Sequence, residues 1–242
     1  MKQHIDTAPV WAAYEHGGEC PLCTLERRSE RDYITYFLGG SVMEPAQRIE
    51  VNRKGFCAQH FRLLYDAGNR LGLALMAHSY LKETITRLEK GEPEAPRRSW
   101  LGGRAQTEGD RAKPPDGCAL CDRLGEAMAR YEETLLYMWS HETAFREAFG
   151  ASKGLCVRHC AHLLARAPQS MSSRDARAFC EAAGRVTLDN LKRVEGDLDW
   201  FTRKFDFRNQ DKPWGESRDA VERALNKLRS NTIRDPEEED AP

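Results

Sequence analysis

Cysteine and histidine recur in this chain at one spacing, twice. Cys20-Pro21-Leu22-Cys23 is followed by Cys57-Ala58-Gln59-His60, and Cys118-Ala119-Leu120-Cys121 by Cys156-Val157-Arg158-His159. Cys57 lies 34 positions after Cys23, and Cys156 lies 35 after Cys121. Each copy therefore supplies four soft donors as two close pairs, the way a chain wraps a tetrahedral metal. Two residues between thiolates let one tight turn aim both sulfurs at a point, and Cys-x2-His does the same with one thiolate and one imidazole. The candidate metal ligands are Cys20, Cys23, Cys57, His60, Cys118, Cys121, Cys156 and His159. The spacing leaves open whether the pairs close within one copy or exchange between copies.

Four protein donors leave no position for water, so Lewis-acid catalysis is disfavoured and structural zinc, two ions per chain, is the leading expectation. Three cysteines and a histidine can also hold an iron–sulfur cluster, although cluster motifs are more often cysteine-only. A reversible thiol switch is a third chemistry open to the same residues. Lys54, Arg53 and Arg62 in the first copy, and Lys153 and Arg158 in the second, are placed to offset the net negative charge of a Cys3His zinc site. Cys160 and Cys180 fall outside the pattern and read as core. His16 precedes Cys20 but has no counterpart in the second copy.

The elements that must position these residues read as helical throughout. Apolar residues at Leu22, Leu25, Tyr33, Tyr36 and Phe37 mark a helix stopped at Gly39-Gly40. Phe61 to Leu88 implies one or two more, and Leu124 to Met138 another. Ser172-Ser173-Arg174-Asp175 looks like the start of a long helix carrying Phe179, Val186, Leu191 and Leu198. Cys57 and Cys156 are expected at helix N-termini, with Gly55 and Gly154 allowing tight approach and offering N–H groups toward sulfur. Tyr33 matches Tyr131, and Lys54-Gly55 matches Lys153-Gly154, which suggests an internal duplication. The expected fold is all-α, two small helical lobes each stapled by a Cys3His site, with a C-terminal helical extension. The expected boundaries are 1–90 and 118–206 for the repeats, 91–117 for a flexible linker in which Trp100-Leu101 could dock, 207–229 for the extension and 230–242 for a disordered acidic tail.

Lys plus Arg number 37 against 38 acids, so no global charge draws the chain to nucleic acid or to a membrane surface. No apolar run approaches the roughly 20 residues of a membrane span, and no signal peptide is read at the N-terminus. Eight cysteines without an export signal point to a reducing, cytoplasmic setting. Phosphate loops, nucleophile elbows and His-Glu-x-x-His are missing from the sequence. The leading functional expectation is a non-enzymatic scaffold that binds a protein partner or a small ligand. Two alternatives stand beside it: a redox or sensor protein, and an enzyme with a site between the lobes built from residues such as His78, His141 or Tyr131.

The combined motifs resemble an uncharacterised bacterial family of unknown function. The residues that carry the likeness are Cys-Pro-Leu-Cys at 20–23, Gly55-Phe56-Cys57-Ala58-Gln59-His60-Phe61 and its weaker copy at 154–160. Phe205-Asp206-Phe207-Arg208, Pro213-Trp214-Gly215 and Ser217-Arg218-Asp219-Ala220 complete it. The resemblance implies a shared fold and metal sites, with Trp214 anchoring the C-terminal segment and Asp219 to Leu228 forming a last helix.

Overall fold

The computed structural model describes residues 6–90 and 117–231, and every regular element among them is helical. The expected linker, with Trp100-Leu101, and the tail beyond Asn231 lie outside the described residues. Among the described residues ten α-helices run in order: α1 (Thr7–Glu15), α2 (Pro21–Leu38), α3 (Pro45–Lys54), α4 (Ala58–Asp66), α5 (Arg70–Lys90), α6 (Ala119–His141), α7 (Thr143–Ala151), α8 (Val157–Ser170), α9 (Ser173–Arg203) and α10 (Ala220–Arg229). A long helix, two short ones and a second long one thus occur twice, as α2–α5 and α6–α9. None of these helices is long and apolar enough to cross a membrane.

The helices assemble into two compact units. Unit 1 comprises residues 1–28 and 127–242, and unit 2 comprises 29–126. The cut falls inside α2, after Arg28, and inside α6, after Glu126. Each of these two long helices therefore begins in one unit and ends in the other.

Unit 2 packs around Phe37, Val51, Phe56, Leu64 and Met76, to which the first turn of α6 adds fully buried Ala119 and Leu120. Phe37 meets Phe56 edge-on at 5.2 Å between ring centroids, and Phe56 meets Phe61 at 5.5 Å. Gly39 and the 3-10 turn Gly40–Met43 end α2 where the glycine pair demanded it. Pro45 then opens α3 at a position where its missing N–H costs nothing. Asn69 starts α5: its Oδ1 accepts from the Gly72 N–H at 2.9 Å, and its Nδ2 donates to the Leu38 carbonyl at 2.6 Å.

Unit 1 is built on α9, which packs against α8 and α10. Ser172 caps α9 as its sequence suggested, accepting from the Asp175 N–H at 3.1 Å. Phe145, Phe149 and Phe179 are fully buried, with Trp11 and Tyr14 of α1 edge-on to Phe145 at 5.2 and 5.0 Å. After α9 the chain folds back, Trp214 packing on Phe201 and the Trp200 Nε1–H donating to the Pro213 carbonyl at 3.1 Å. The buried Lys204 ammonium caps three carbonyls in this return, those of Asn209, Gln210 and Lys212. The last helix expected from Asp219 onward is α10.

Candidate metal centres

The eight expected donors meet in two groups of four, with donor atoms in each group lying within 4.8 Å of one another. One group is Cys20, Cys23, Cys156 and His159, all in unit 1. The other is Cys57, His60, Cys118 and Cys121, all in unit 2. The question the spacing left open is thereby answered: the Cys-x2-Cys of each copy meets the Cys-x2-His of the other. Each unit still contains one Cys3His group, but neither group is made by one stretch of the sequence.

Local folding explains the aim of each pair. Cys57 and Cys156 are the N-cap residues of α4 and α8, which places each histidine in the first helical turn facing its own cysteine. The Cys156 sulfur accepts the His159 N–H at 3.4 Å, and the Cys118 sulfur accepts the Cys121 N–H at 3.4 Å at the start of α6. Gly55 and Gly154 have positive φ, +66° and +73°. A Cβ at Gly55 would stand 2.5 Å from the Tyr80 ring, and one at Gly154 would stand 3.0 Å from the Val186 carbonyl oxygen. Their N–H groups do not go to sulfur as expected. Gly55 donates to the Val51 carbonyl at 2.7 Å and Gly154 to Ser152 Oγ at 3.1 Å. The Gly55 carbonyl accepts from the Ala119 N–H at 3.0 Å, tying the loop before Cys57 to the helix start that carries Cys118.

In both groups the histidine turns Nδ1 inward. His60 Nδ1 lies 3.2 Å from Cys57 Sγ, 3.2 Å from Cys118 Sγ and 3.3 Å from Cys121 Sγ. His159 Nδ1 lies 3.6, 3.5 and 3.3 Å from the sulfurs of Cys20, Cys23 and Cys156. A tetrahedral ion with bonds of roughly 2.3 Å to sulfur and 2.0 Å to nitrogen puts its donors about 3.5–3.8 Å apart. The other ring nitrogen of each histidine faces a carboxylate of α2, which sequence reasoning missed. Glu30 Oε1 is 3.1 Å from His60 Nε2, and Glu26 Oε2 is 3.7 Å from His159 Nε2. Such carboxylates fix the tautomer and raise the basicity of a ligating imidazole. Their signal in the sequence is slight: two glutamates one turn apart, shortly after Cys23, among 38 acids.

The cations fit less simply than expected. Arg158 lies against Glu26 and 3.0 Å from His159 Nε2, and Lys54 pairs with Asp122 beside Cys121. Arg62 instead pairs with Asp66, and Arg53 is exposed. Lys153 contributes only its carbonyl, which accepts from Lys227. Lys227 is 1% exposed, and its ammonium also donates to the Glu19 carbonyl at 2.6 Å and lies 3.4 Å from the Glu19 carboxylate. It therefore ties together the two loops that lead into Cys20 and Cys156. Ser230 and Asn231, assigned to the tail by sequence, are hydrogen-bonded onto unit 1's group: Ser230 Oγ is 3.1 Å from Cys23 Sγ, and Asn231 donates to the Cys23 carbonyl at 3.2 Å.

The sulfurs and imidazoles perturb one another. Burial opposes a charged His60, but hydrogen bonds to Cys118 and Glu30 and the neighbouring thiolates outweigh it and raise its pKa to about 10. Burial likewise pushes the Cys118 thiol up, yet His60 and the N–H groups of Cys121 and Cys57 bring it down to about 6. Burial and the adjacent sulfurs hold Cys121 well above the ordinary thiol range. In unit 1 burial again works against the His159 cation, and Cys156 and Cys23 carry its pKa to about 10. Hydrogen bonds from Cys20 and Cys23 depress Cys156, while burial raises Cys20. Each group is a cage of soft donors in which protons stand where a divalent cation would satisfy all four at once.

The other residues singled out from the sequence stand apart from both groups. Cys160 is buried and Cys180 half-buried, while His16 and His78 are exposed. Tyr33 packs against unit 2's core. His141 stacks on Tyr137 at 4.2 Å and lines an open cleft of about 910 Å³ in unit 1 with Asp6, Arg130, Glu133 and Asp175.

The fold and site define an all-helical protein with two Cys3His groups able to hold metal ions. The chain belongs to a family of unknown function (DUF6062), whose model matches residues 1–235. It is similar to an uncharacterised 23.9 kDa protein in the xynA 3' region of Caldicellulosiruptor sp. (strain Rt8B.4), 22% identical over 190 residues, covering 78% of this chain and 84% of that protein. No solved structure matches.

Proposed function

We propose that the protein binds two zinc ions, one in each unit, as closed structural centres of a helical scaffold whose role is to bind a protein partner or small ligand rather than to catalyse. The observation that carries this reading is the donor geometry. Three sulfurs surround an inward Nδ1 at 3.2–3.6 Å, and the outward Nε2 faces a carboxylate. Four protein donors fill a tetrahedral ion and leave no position for a substrate or water, which favours a structural over a catalytic role.

The same geometry favours zinc over an iron–sulfur cluster. The protein ligands of a cluster are divided among two or four irons bridged by sulfide, so the set as a whole must stand apart around several metal atoms. Donors within 4.8 Å of one another enclose a single ion instead. A reducing, cytoplasmic setting suits eight cysteines that are all free thiols. If a small ligand is the target, the cleft beside Tyr137 and His141 in unit 1 is the place for it.

Metal analysis of chain purified without oxygen tests this. About two zinc per chain and a colourless solution are expected. Fewer than one zinc per chain, or the visible absorption of a cluster, would refute the reading.

A further inference from the structure

The two groups share donors but not exposure. In unit 1 all four ligand residues are buried, and Ser230 and Asn231 bond to the Cys23 side. In unit 2 Cys121 is exposed and Cys57 half-buried, while Cys118 and His60 are buried. The exposed pair is also a close pair, with Cys57 Sγ and Cys121 Sγ 3.9 Å apart. Cys57 caps α4 and Cys121 sits in the first turn of α6, so a bond between them would join two elements far apart in the sequence. Cys118 is placed less well to meet a peroxide: it is buried, and its sulfur already accepts the Cys121 N–H.

We infer that Cys121 is an oxidation site, and that a hydroperoxide closes a Cys57–Cys121 disulfide in unit 2 and expels its metal while unit 1 keeps its own. The metal half of this inference rests on the zinc reading above. Cys121 gives up its thiol proton as its sulfur attacks a peroxide oxygen, the O–O bond breaks, and Cys121 becomes a sulfenic acid while the leaving oxygen takes a proton and departs as water. The Cys57 thiolate then attacks the Cys121 sulfur and displaces hydroxide, which is protonated to water. Two thiols and one hydrogen peroxide thus give one disulfide and two waters, the sulfurs losing the two electrons that the peroxide gains. The sulfurs must close from 3.9 Å to about 2.05 Å for the bond to form. The ion is left with His60 and Cys118 alone. A dithiol reductant reverses the bond and restores the site.

The test uses the full chain, purified without oxygen, loaded with zinc and treated with hydrogen peroxide. Released zinc is followed with a chromogenic chelator, and disulfides are mapped by mass spectrometry of unreduced peptides. One equivalent of zinc should leave about tenfold faster than the other, since an ion would hold all its sulfurs deprotonated and leave exposure to decide which is oxidised first. The fast phase should coincide with a linked Cys57–Cys121 peptide and reverse on reduction. Equal release from both units, no release, or a Cys118–Cys121 bond instead would overturn the inference. The Cys121→Ser variant should lose the fast phase. Because that change also removes a ligand, the map on the unmodified chain decides. The map is read whether or not metal is present, so metal-free protein would sink the zinc reading while the disulfide still stands or falls on its own peptide.

Discussion

Lys227 offers the sharpest test of how the fold holds a centre in place. Its ammonium, on α10, donates to the carbonyls of Glu19 and Lys153 and lies 3.4 Å from the Glu19 carboxylate. These carbonyls belong to the loops entering Cys20 and Cys156, so one buried cation sets the separation of two ligand-bearing segments. Replacement by methionine keeps the length and apolar bulk of the side chain and opens no large cavity. It removes two part-buried hydrogen bonds from a charged donor, at roughly 1.5–3 kcal/mol each. Glu19 is not orphaned, because Arg193 still holds its carboxylate at 2.6 Å. Against the loss stands the desolvation of the ammonium, which is large enough to lower the Lys227 pKa. The net expected loss is about 2–3 kcal/mol, a fall in midpoint of roughly 5–10 °C for zinc-loaded protein. The loss is felt where the loops spread, so Lys227→Met should weaken zinc at unit 1 by about tenfold or more and leave unit 2 unchanged; the upper bound, were all of it felt there, is roughly 100-fold. Thermal unfolding and competition against a zinc chelator measure both effects. An unchanged midpoint, or equal weakening of both ions, would show that Lys227 does not position the unit 1 centre.

Two further predictions bear on unit 2. Glu30→Gln removes the carboxylate facing His60 Nε2 and should cost about 10–100-fold in zinc affinity at unit 2 with unit 1 unaffected, read by the same chelator competition. Zinc uptake must also displace protons. At pH 8 the metal-free His60, with its pKa near 10, is protonated, and so is the raised Cys121, so at least two protons should leave unit 2 per ion, measurable by titration calorimetry in buffers of different ionisation enthalpy. The sign follows: affinity falls as pH falls, by about 100-fold per pH unit, and more steeply below about 6 where Cys118 also takes a proton. A release of fewer than two protons would contradict the protonation states drawn from the geometry.

The ligands were legible because a metal's requirements are written in residue type and short spacing, both local. The helices were legible where periodicity met a clear stop, as at Gly39-Gly40, or a clear start, as at Ser172. Short α1, α3 and α7, of 9, 10 and 9 residues, escaped notice because so short a window holds too few turns for a period to stand out. Glu26, Glu30 and Lys227 escaped for a different reason. Nothing about a glutamate or lysine in sequence says that it faces an imidazole or a loop carbonyl. Those roles come from packing between residues as far apart as Glu19 and Lys227, 208 positions in the chain. The unit borders were hidden likewise, since α2 and α6 read as single uninterrupted helices and are cut only by what packs around each end.

The exchange of ligand pairs has a physical cause and a consequence. Each Cys-x2-Cys opens a long helix, α2 or α6, that begins in one unit and ends in the other, so the Cys-x2-His that follows it in sequence belongs to the other unit. The contacts that bring ligands together are made by other parts of the chain. In unit 2 the Gly55 carbonyl receives the Ala119 N–H; in unit 1 Lys227 bridges Glu19 and Lys153. A segment ending before residue 91 carries Cys20, Cys23, Cys57 and His60, two donors for each ion and a full set for neither. Under the zinc reading, metal binding free energy is therefore spent on joining the two halves of the sequence, not on folding either alone. That explains why a doubled motif need not mean two independent metal-folded modules: the repeated pattern supplies the donors twice, and the three-dimensional pairing makes each ion depend on both copies.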